Sequence, residues 1–467
     1  MNKSISKAVA VSAVCAAALA GSLASGEVAT GVAAPTGKHA ITQFGYKANV
    51  FGTKVLVDGV ELKTIKDALA QQKCTRVLRG ETVKGSALGT DNIVPPSVPA
   101  ASLIHVSPST SKTRTYKTGQ GVYGVLGTNT IADIVVGGVF NGIQTPVLKI
   151  EGLKSTANSW NDTAAQGGNG RFDSSSEFGL GGISLQLNGP PGTEELQDLM
   201  DIIQSNLPIS QVVTQLVDLL EQVGVIEIPG LGSLALGKTS ARRGAHSAEA
   251  NAYALKITVQ PDGTGATVLQ LGRAYSRITD GVPSGVFRST MSALELSVGD
   301  VLQFGNVSTQ TINCEGTDGK VRSKEVAAAS VPGLVSLSGV RYSWLGKQLA
   351  EGKAKGFVQS EIGRAEVPSV GLVISGIKSR VGLRSKGPNE EVKRKVTASV
   401  GSITLNGTPL AIPGPGGSTA FEGGVLQFQK VQHSNYNGTE VRALVVTLFE
   451  QNVVLSLGEA AGRIFYR

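Results

Sequence analysis

Two stretches, one towards the end of each half of the chain, decide the fold: V-L-Q-L-G-R-A-Y-S-R-I at 268–278 and V-L-S-L-G-E-A-A-G-R-I at 454–464. Apolar and polar residues alternate through both, a period of two that is typical of β-strands with one buried face. Similar segments precede them, A-L-K-I-T-V at 254–259 and A-L-V-V-T-L at 443–448, and the copies differ in length only at the intervening turn. We therefore predict a β-hairpin that occurs twice.

The repetition extends upstream of these hairpins. V-L-K-I-E-G-L-K-S at 147–155 resembles G-L-V-I-S-G-I-K-S at 371–379, and N-G and D-G dipeptides, which favour tight turns, separate many of the alternating segments. Many short strands with one buried face pack as sandwiches. The sequence predicts an all-β fold of two tandem β-sandwich-like modules, at about 41–280 and 281–467.

One insertion breaks the symmetry of the repeat. The segment 191–224 has helical periodicity, with Thr193 as the predicted N-cap and Gly224 as the predicted end of a second helix. It contains six acidic residues and no Lys or Arg. Its predicted apolar face includes Leu196, Leu199, Ile203 and Leu216. This face either caps an open edge of the first module or serves as a lid over an apolar cleft.

The composition excludes several classes of protein. The chain has 467 residues, 41% of them hydrophobic, so it is long enough to bury a large core and too apolar to be a disordered tail. Its 60 glycines are roughly twice the ordinary share, but they follow no G-X-Y period, which excludes collagen. The formal net charge is +8.

The N-terminus has the pattern of a signal peptide. Lys3 and Lys7 precede a run of small and apolar residues without acids, and small-x-small sites for cleavage follow. The run is shorter than the roughly 20 residues that a membrane-spanning helix needs. We predict a signal peptide within 1–34, no transmembrane segment after its cleavage, and an extracellular protein that is released or held loosely at the cell envelope.

Cleavage would leave two cysteines, Cys74 and Cys314. In an oxidising compartment they are a candidate disulfide. Two separately buried thiols are the alternative, because the sequence does not indicate how far apart they lie.

No group of residues has the spacing of a catalytic, cofactor or metal site. The four histidines form no i, i+4 pair, no C-x-x-C occurs, and a G-x-S-x-G nucleophile motif is absent. The segment 232–239 matches P-loop spacing, but no helical period follows it, so we interpret the match as coincidence. We expect no enzyme and no cofactor. A hydrolase of unrecognised type would need His246 or His433 beside a carboxylate and a serine.

The surplus of basic residues suggests a partner. Arg242 and Arg243 are adjacent, and a run from 378 to 386 is followed by Lys393, Arg394 and Lys395. These residues are candidates for contact with an anionic cell-wall polymer, although such charges also serve solubility alone. Trp160 and Trp344 are either core residues or platforms for a sugar ring. Aromatic residues do not alternate with the basic ones, so we expect no nucleic-acid partner.

Three features resemble the choice-of-anchor P family of actinobacterial secreted proteins: N-A-Y-A-L at 251–255, P-P-S-V-P at 95–99, and V-S-T-Q-T-I-N-C-E-G-T-D-G at 307–319. The resemblance implies an exported, β-rich surface or extracellular protein with no established activity. The family's C-terminal anchoring device varies between members, and this sequence shows none before Arg467.

Our first hypothesis is a non-enzymatic extracellular or cell-envelope protein that acts by binding, to a wall polymer or another surface protein, or by structural assembly. The alternative is an extracellular carrier of a small apolar ligand or lipid. In that case the helical insertion would be its lid, above a cavity of roughly several hundred Å³.

Overall fold

The computed structural model describes residues 40–465, except 58–59, 63–67, 79–80, 86–99, 166–169, 238, 262–265, 283–285, 299–301, 308–309, 313, 318, 332–333, 350, 388–389 and 435–437. The predicted signal peptide at 1–34 and the P-P-S-V-P stretch at 95–99 lie outside the described residues.

Strands dominate both halves of the chain. The first half contains β1 Ile41–Val57, β2 Val60–Leu62, β3 Ala70–Val77, β4 Thr82–Gly85, β5 Ile104–Val106, β6 Ser109–Lys117, β7 Val122–Phe140, β8 Ile143–Asp162, β9 Arg171–Gly179, β10 Gly182–Gln186, α1 Glu194–Gln204, α2 Ile209–Val223, β11 Val225–Ile228, β12 Gly232–Leu236, β13 Ser240–Arg243, β14 Ser247–Val259 and β15 Thr267–Thr279. A 3₁₀ turn, Ala101–Leu103, precedes β5.

The second half has no α-helix among its described residues. It contains β16 Val286–Val298, β17 Leu302–Val307, β18 Gln310–Thr311, β19 Arg322–Val331, β20 Val335–Gln348, β21 Ala354–Val367, β22 Leu372–Ser385, β23 Lys393–Ser399, β24 Ser402–Leu405, β25 Thr408–Pro409, β26 Ser418–Phe421, β27 Gly424–Ser434, β28 Gly438–Leu448 and β29 Val453–Phe465. A 3₁₀ turn, Pro368–Val370, joins β21 to β22.

These strands form four antiparallel sheets, two from each half. Sheet I has the order β11-β12-β14-β15-β1-β2, with β13 and β3 paired at its sides, and sheet II has the order β10-β8-β7-β6-β4, with β5 and β9. Sheet III has the order β17-β16-β29-β28-β27-β26, with β18, and sheet IV has the order β19-β20-β21-β22-β24-β25, with β23. The prediction of an all-β fold with two tandem sandwich-like modules is confirmed. We call β1–β15, with both helices, the first module and β16–β29 the second.

The two modules repeat the same sheet irregularity. In the first, β15 pairs with β14 on both sides of Gly272, and in the second β29 pairs with β28 on both sides of Gly458. Both glycines have positive φ, 63° and 65°. A Cβ atom on Gly458 would lie 3.1 Å from Ile377 Cγ2 on the facing sheet IV. The glycine therefore lets the two sheets of the module approach closely.

The helical insertion lies where the two sheets of the first module end side by side. α1 contacts β10 of sheet II and β11 of sheet I, and α2 contacts β11 and β12. The Thr193 hydroxyl accepts a hydrogen bond from the Leu196 N–H at 3.3 Å, and Gly224 ends α2 with φ 79°. The predicted caps are thus present at both ends of the hairpin, and its apolar face is buried against the edges of the sandwich.

Replacing Gly458 by Ala tests the close approach of the sheets. We expect G458A to be destabilised both by its positive φ, by about 1–2 kcal/mol, and by overpacking, by about 1–3 kcal/mol. G407A is the matched control, because Gly407 has φ +80° and a Cβ atom there would have nothing within 4 Å. Urea unfolding should show a larger loss of stability for G458A, and equal losses would contradict the packing constraint.

Candidate functional site

Four basic side chains form one row across the outer face of sheet IV. Lys347 on β20 lies opposite Lys355 on β21, Lys355 lies opposite Arg384 on β22, and Arg384 lies opposite Lys393 on β23. All four are exposed. Alternation along each strand directs them to the same face, so the row crosses four neighbouring strands. We call these four residues the basic row.

The face beside the basic row adds further positive charge. Lys395 on β23 lies one row away, opposite Gly382, and is exposed. In the next row, the Arg380 guanidinium lies 3.8 Å from the centre of the Phe357 ring and donates a hydrogen bond to Gln359 Oε1 at 3.3 Å. Arg380 is thereby held flat against the sheet, with its charge close to the basic row.

Electrostatics disfavour this arrangement in the isolated protein. Like charges directly opposite each other on neighbouring strands are destabilising. Within the described part of the chain, no acidic side chain forms an ion pair with any member of the basic row. The nearest turn holds an ion pair of its own, between Lys353 and Glu351 at 2.6 Å. Two exposed acidic residues, Glu390 and Glu391, precede Lys393 and offset part of the positive charge at one end of the row.

The remainder of the same face is neutral. A groove of about 510 Å³ crosses sheet IV at Gly339, Gly363 and Gly376. Its wall carries Lys378 and Glu361, whose charged atoms are 2.6 Å apart. The positive field is therefore confined to the end of the sheet that holds the basic row.

The sequence identified part of this face. Lys393 and Lys395 belong to this outer face. Arg394 between them lies opposite Leu383, on the other face of β23, and donates a hydrogen bond to the Val392 carbonyl at 3.4 Å. Lys347 and Lys355 were missed, because they come from strands far away in sequence. Only the strand register shows that they align with Lys393.

The other predicted basic pair lies elsewhere. Arg242 and Arg243 are on β13 in sheet I of the first module, and both are exposed. Arg243 Nη1 lies 3.4 Å from Asp173 Oδ2 on β9, and the Arg242 carbonyl accepts a hydrogen bond from Ser174 at 3.1 Å. These contacts tie β13 to β9. Arg243 is thus partly neutralised and does not extend the basic row.

Cys74 and Cys314 are bonded as a disulfide between the two modules, with an S–S distance of 2.19 Å. Cys74 lies on β3, and Cys314 follows β18. Both cysteines are buried and pack with Val282 and Val286, where the chain passes from one module to the other. Of the two alternatives left open by the sequence, the structure has the bonded one.

A charged network lies beside this disulfide. Arg277 Nη1 contacts Glu249 Oε2 at 3.1 Å within the first module, and Arg277 Nη2 contacts Glu315 Oε1 of the second module at 2.6 Å. Lys47 on β1 lies opposite Arg277 on the neighbouring strand β15. Burial lowers the pKa of Lys47 to about 8, and the Arg277 charge acts in the same direction. At neutral pH the protonated Lys47 amine, beside the junction of the two modules, therefore lowers the stability of the folded protein.

The predicted lid face is packed into the core. Leu196, Leu199 and Leu216 are at most 1% exposed, and Ile203 is half-buried against the same cluster. No helix residue lines the groove on sheet IV. These contacts favour a cap on the edge of the sandwich over a lid.

The two tryptophans differ in their environment. Trp344 lies on the same face of β20 as buried Val340 and Tyr342, and it packs against the hydrophobic core. Trp160 has the opposite phase to buried Ala157 and Ser159 on β8, so it lies half-buried on the outer face of sheet II. Trp344 is thus a partly buried residue at the margin of the core, and Trp160 lies outside it.

Residue types associated with catalysis or metals stay dispersed. In the described ranges, no group of three His, Cys, Asp or Glu is placed to hold a metal ion. His246 Nδ1 contacts Asp280 Oδ2 at 3.1 Å on an exposed surface, and His433 contacts Thr439. The start of the P-loop-like segment, Gly232–Leu236, is strand β12 rather than a phosphate-binding loop. Neither helix in the described residues is long and apolar enough to cross a membrane.

Replacing both cysteines by serine should destabilise the protein. A disulfide that closes a loop of 240 residues is worth up to roughly 5 kcal/mol in the chain-entropy account. We expect C74S/C314S to unfold at a lower urea concentration than the wild type, and reduced wild type to match the variant. Equal midpoints for oxidised and reduced wild type would contradict this.

Lys47 gives the junction a defined pH dependence. The pKa of Lys47 is lower in the folded protein, about 8, than its ordinary value of 10.5, so the unfolded chain binds the proton more tightly. Stability therefore rises by roughly 1–2 kcal/mol from about pH 7.5 to about pH 9.5. K47M should flatten this rise, whereas K256M, which removes an exposed lysine, should retain it. Urea midpoints across this range measure the effect, and a falling wild-type profile would contradict it.

Comparison with known proteins gives no relative from which to transfer a function. No family model matches the chain, and no curated protein matches it. Among solved structures, the chain aligns with one titled "Crystal structure of lipopolysaccharide binding protein", at 10% sequence identity and a TM-score of 0.12, covering 90% of this chain and 92% of that chain. A score this low supports no conclusion about fold or function. The resemblance to the choice-of-anchor P family therefore stays a prediction.

Proposed function

We propose that this chain is an exported, non-enzymatic binding protein that holds an anionic polymer of the cell envelope on the outer face of sheet IV. The observation that carries this proposal is the basic row, Lys347, Lys355, Arg384 and Lys393. Neighbouring strands lie about 4.8 Å apart, so the four charges repeat at a short, regular spacing across the sheet.

A repeating polyanion is the ligand that matches this spacing. An extended polymer laid across the strands places one negative group after another along the row. The attraction between these groups and the cations then outweighs the repulsion among the cations. A small anion would neutralise one or two of the four. The exposed stems of Lys347, Lys355 and Lys393 also let each ammonium group adjust to the spacing of the polymer.

Export rests on the N-terminal pattern of the sequence and is supported by the disulfide between Cys74 and Cys314. Disulfides form and persist in oxidising compartments outside the cytosol. A surface that binds by charge needs no catalytic group. Attachment would then be non-covalent and sensitive to ionic strength.

The carrier hypothesis receives no support from the helical insertion. Leu199 and Leu216, which the hypothesis places above a cavity, are fully buried in the core of the first module. We therefore advance only the polymer-binding function.

Co-sedimentation with isolated cell envelopes tests the proposal. We expect the mature protein to sediment with envelopes at low salt and to be released at high salt. K347Q/K355Q/K393Q should weaken binding at low salt by about tenfold, on the basis of about 0.5 kcal/mol for each exposed charge contact. Arg384 is kept so that the sheet loses only flexible lysines.

K84Q/K117Q/K256Q is the matched control. It removes the same number of positive charges from exposed lysines of the first module, so it separates the effect of the basic row from that of net charge. The proposal is wrong if both triple variants weaken binding equally, or if the wild type does not sediment at either salt concentration.

A further inference from the structure

The outer face of sheet II in the first module holds a second, smaller cluster of cations. A pocket of about 400 Å³ there is lined by three basic side chains, Lys112, Arg114 and Lys154, and by a single acidic one, Glu81. Lys112 lies 3.5 Å from Glu81, with both side chains about half exposed, so this pair is weak. The pocket therefore has a net positive charge.

Strand register places the three cations around one threonine. Thr128 on β7 lies directly opposite Lys112 on β6. Arg114 lies opposite Leu126, and Lys154 on β8 lies opposite Thr130, each two residues from Thr128 along β7. Direct and diagonal neighbours across strands are about 5 to 8 Å apart, within reach of long side chains. A group bound above Thr128 is thus accessible to all three.

Hydroxyl groups complete the lining. Thr110 and Thr130 lie opposite each other, and both line the pocket together with Thr128. The Thr130 hydroxyl donates a hydrogen bond to the Thr110 carbonyl at 3.4 Å, which leaves the hydroxyls of Thr110 and Thr128 as the candidate donors. Hydroxyls are neutral donors, and cations supply charge-assisted hydrogen bonds. Donors that approach one point from three strands fit a tetrahedral oxyanion better than a planar carboxylate, which a single arginine already binds side by side.

Arg114 is positioned at the pocket by its contacts within the protein. The residue is partly exposed and lines the pocket, whereas its Nε atom is enclosed by the protein. Its guanidinium carbon lies 5.8 Å from the centre of the Tyr116 ring. The Tyr116 hydroxyl in turn donates a hydrogen bond to Asn158 Oδ1 at 2.9 Å. An anion bound in the pocket would add charge-assisted hydrogen bonds to this positioned guanidinium.

We infer that this pocket binds a phosphoryl group, with Lys112, Arg114 and Lys154 as its positive ligands and the hydroxyls of Thr110 and Thr128 as additional donors. The site is separate from the basic row, because it lies on sheet II of the first module and takes a single anionic group. It does not depend on the proposed polymer binding.

Titration of the full mature protein with inorganic phosphate at constant ionic strength tests the inference. We expect saturable shifts of the backbone amide signals of Lys112, Arg114 and Thr128 in nitrogen-15 spectra. R114Q should raise the Kd by at least about tenfold, and T128V, which keeps the side-chain volume, should raise it several-fold. K117Q is the charge-matched control on the same strand, outside the pocket lining, and should bind phosphate like the wild type.

Two results would overturn the inference. One is a linear, non-saturating response of the wild type, and the other is an equal loss in R114Q and K117Q. T128V also guards against misfolding as an explanation, because it leaves every charge in place. K347Q/K355Q/K393Q should leave the phosphate titration unchanged. The titration therefore tests the phosphoryl site separately from the proposed polymer binding.

Discussion

The structure depends on the close packing of its sheets through small side chains. In the first module a core cluster consists of Val50 and four alanines: Ala157, Ala250, Ala252 and Ala274. Ser159 and Ser276 meet across the two sheets, with their hydroxyl oxygens 2.8 Å apart. Large side chains at these positions would separate the sheets, and the neighbouring core would lose its contacts.

Close packing also determines where the long polar side chains lie. The inner faces bury apolar side chains, including the rings of Tyr46 and Tyr342, whereas arginines and lysines are placed on the outer faces. On sheet I this produces a ladder in which Arg273 lies within 5.6 Å of the rings of Phe51, Tyr253 and Tyr275. On sheets II and IV it produces the two cationic clusters. Both clusters follow from strand register, since the cations of each come from at least two different strands.

Repetition and alternation made the fold predictable. The match between 268–278 and 454–464 predicted paired hairpins, and the positive φ of Gly272 and Gly458 shows that the repeat preserves even a local irregularity. The helix ends at Thr193 and Gly224 were also predictable, because a helix cap depends on neighbouring residues along the chain. Register between distant strands has no such local signal. Lys347 and Lys355 were therefore missed, and no sequence pattern indicated that Cys74 lies beside Cys314.

The two clusters differ in what a ligand would change. In the basic row the unfavourable energy comes from repulsion between exposed charges, which salt screens and a polyanion removes along its whole length. In the pocket of sheet II the three cations are grouped with threonine hydroxyls on neighbouring strands, so a bound anion would receive hydrogen bonds as well as positive charge. Binding to the row should therefore weaken steeply with ionic strength, while binding in the pocket should depend more on the geometry of the anion. The row would thus select an anion by its charge density, and the pocket would select one by the placement of its hydrogen-bond acceptors.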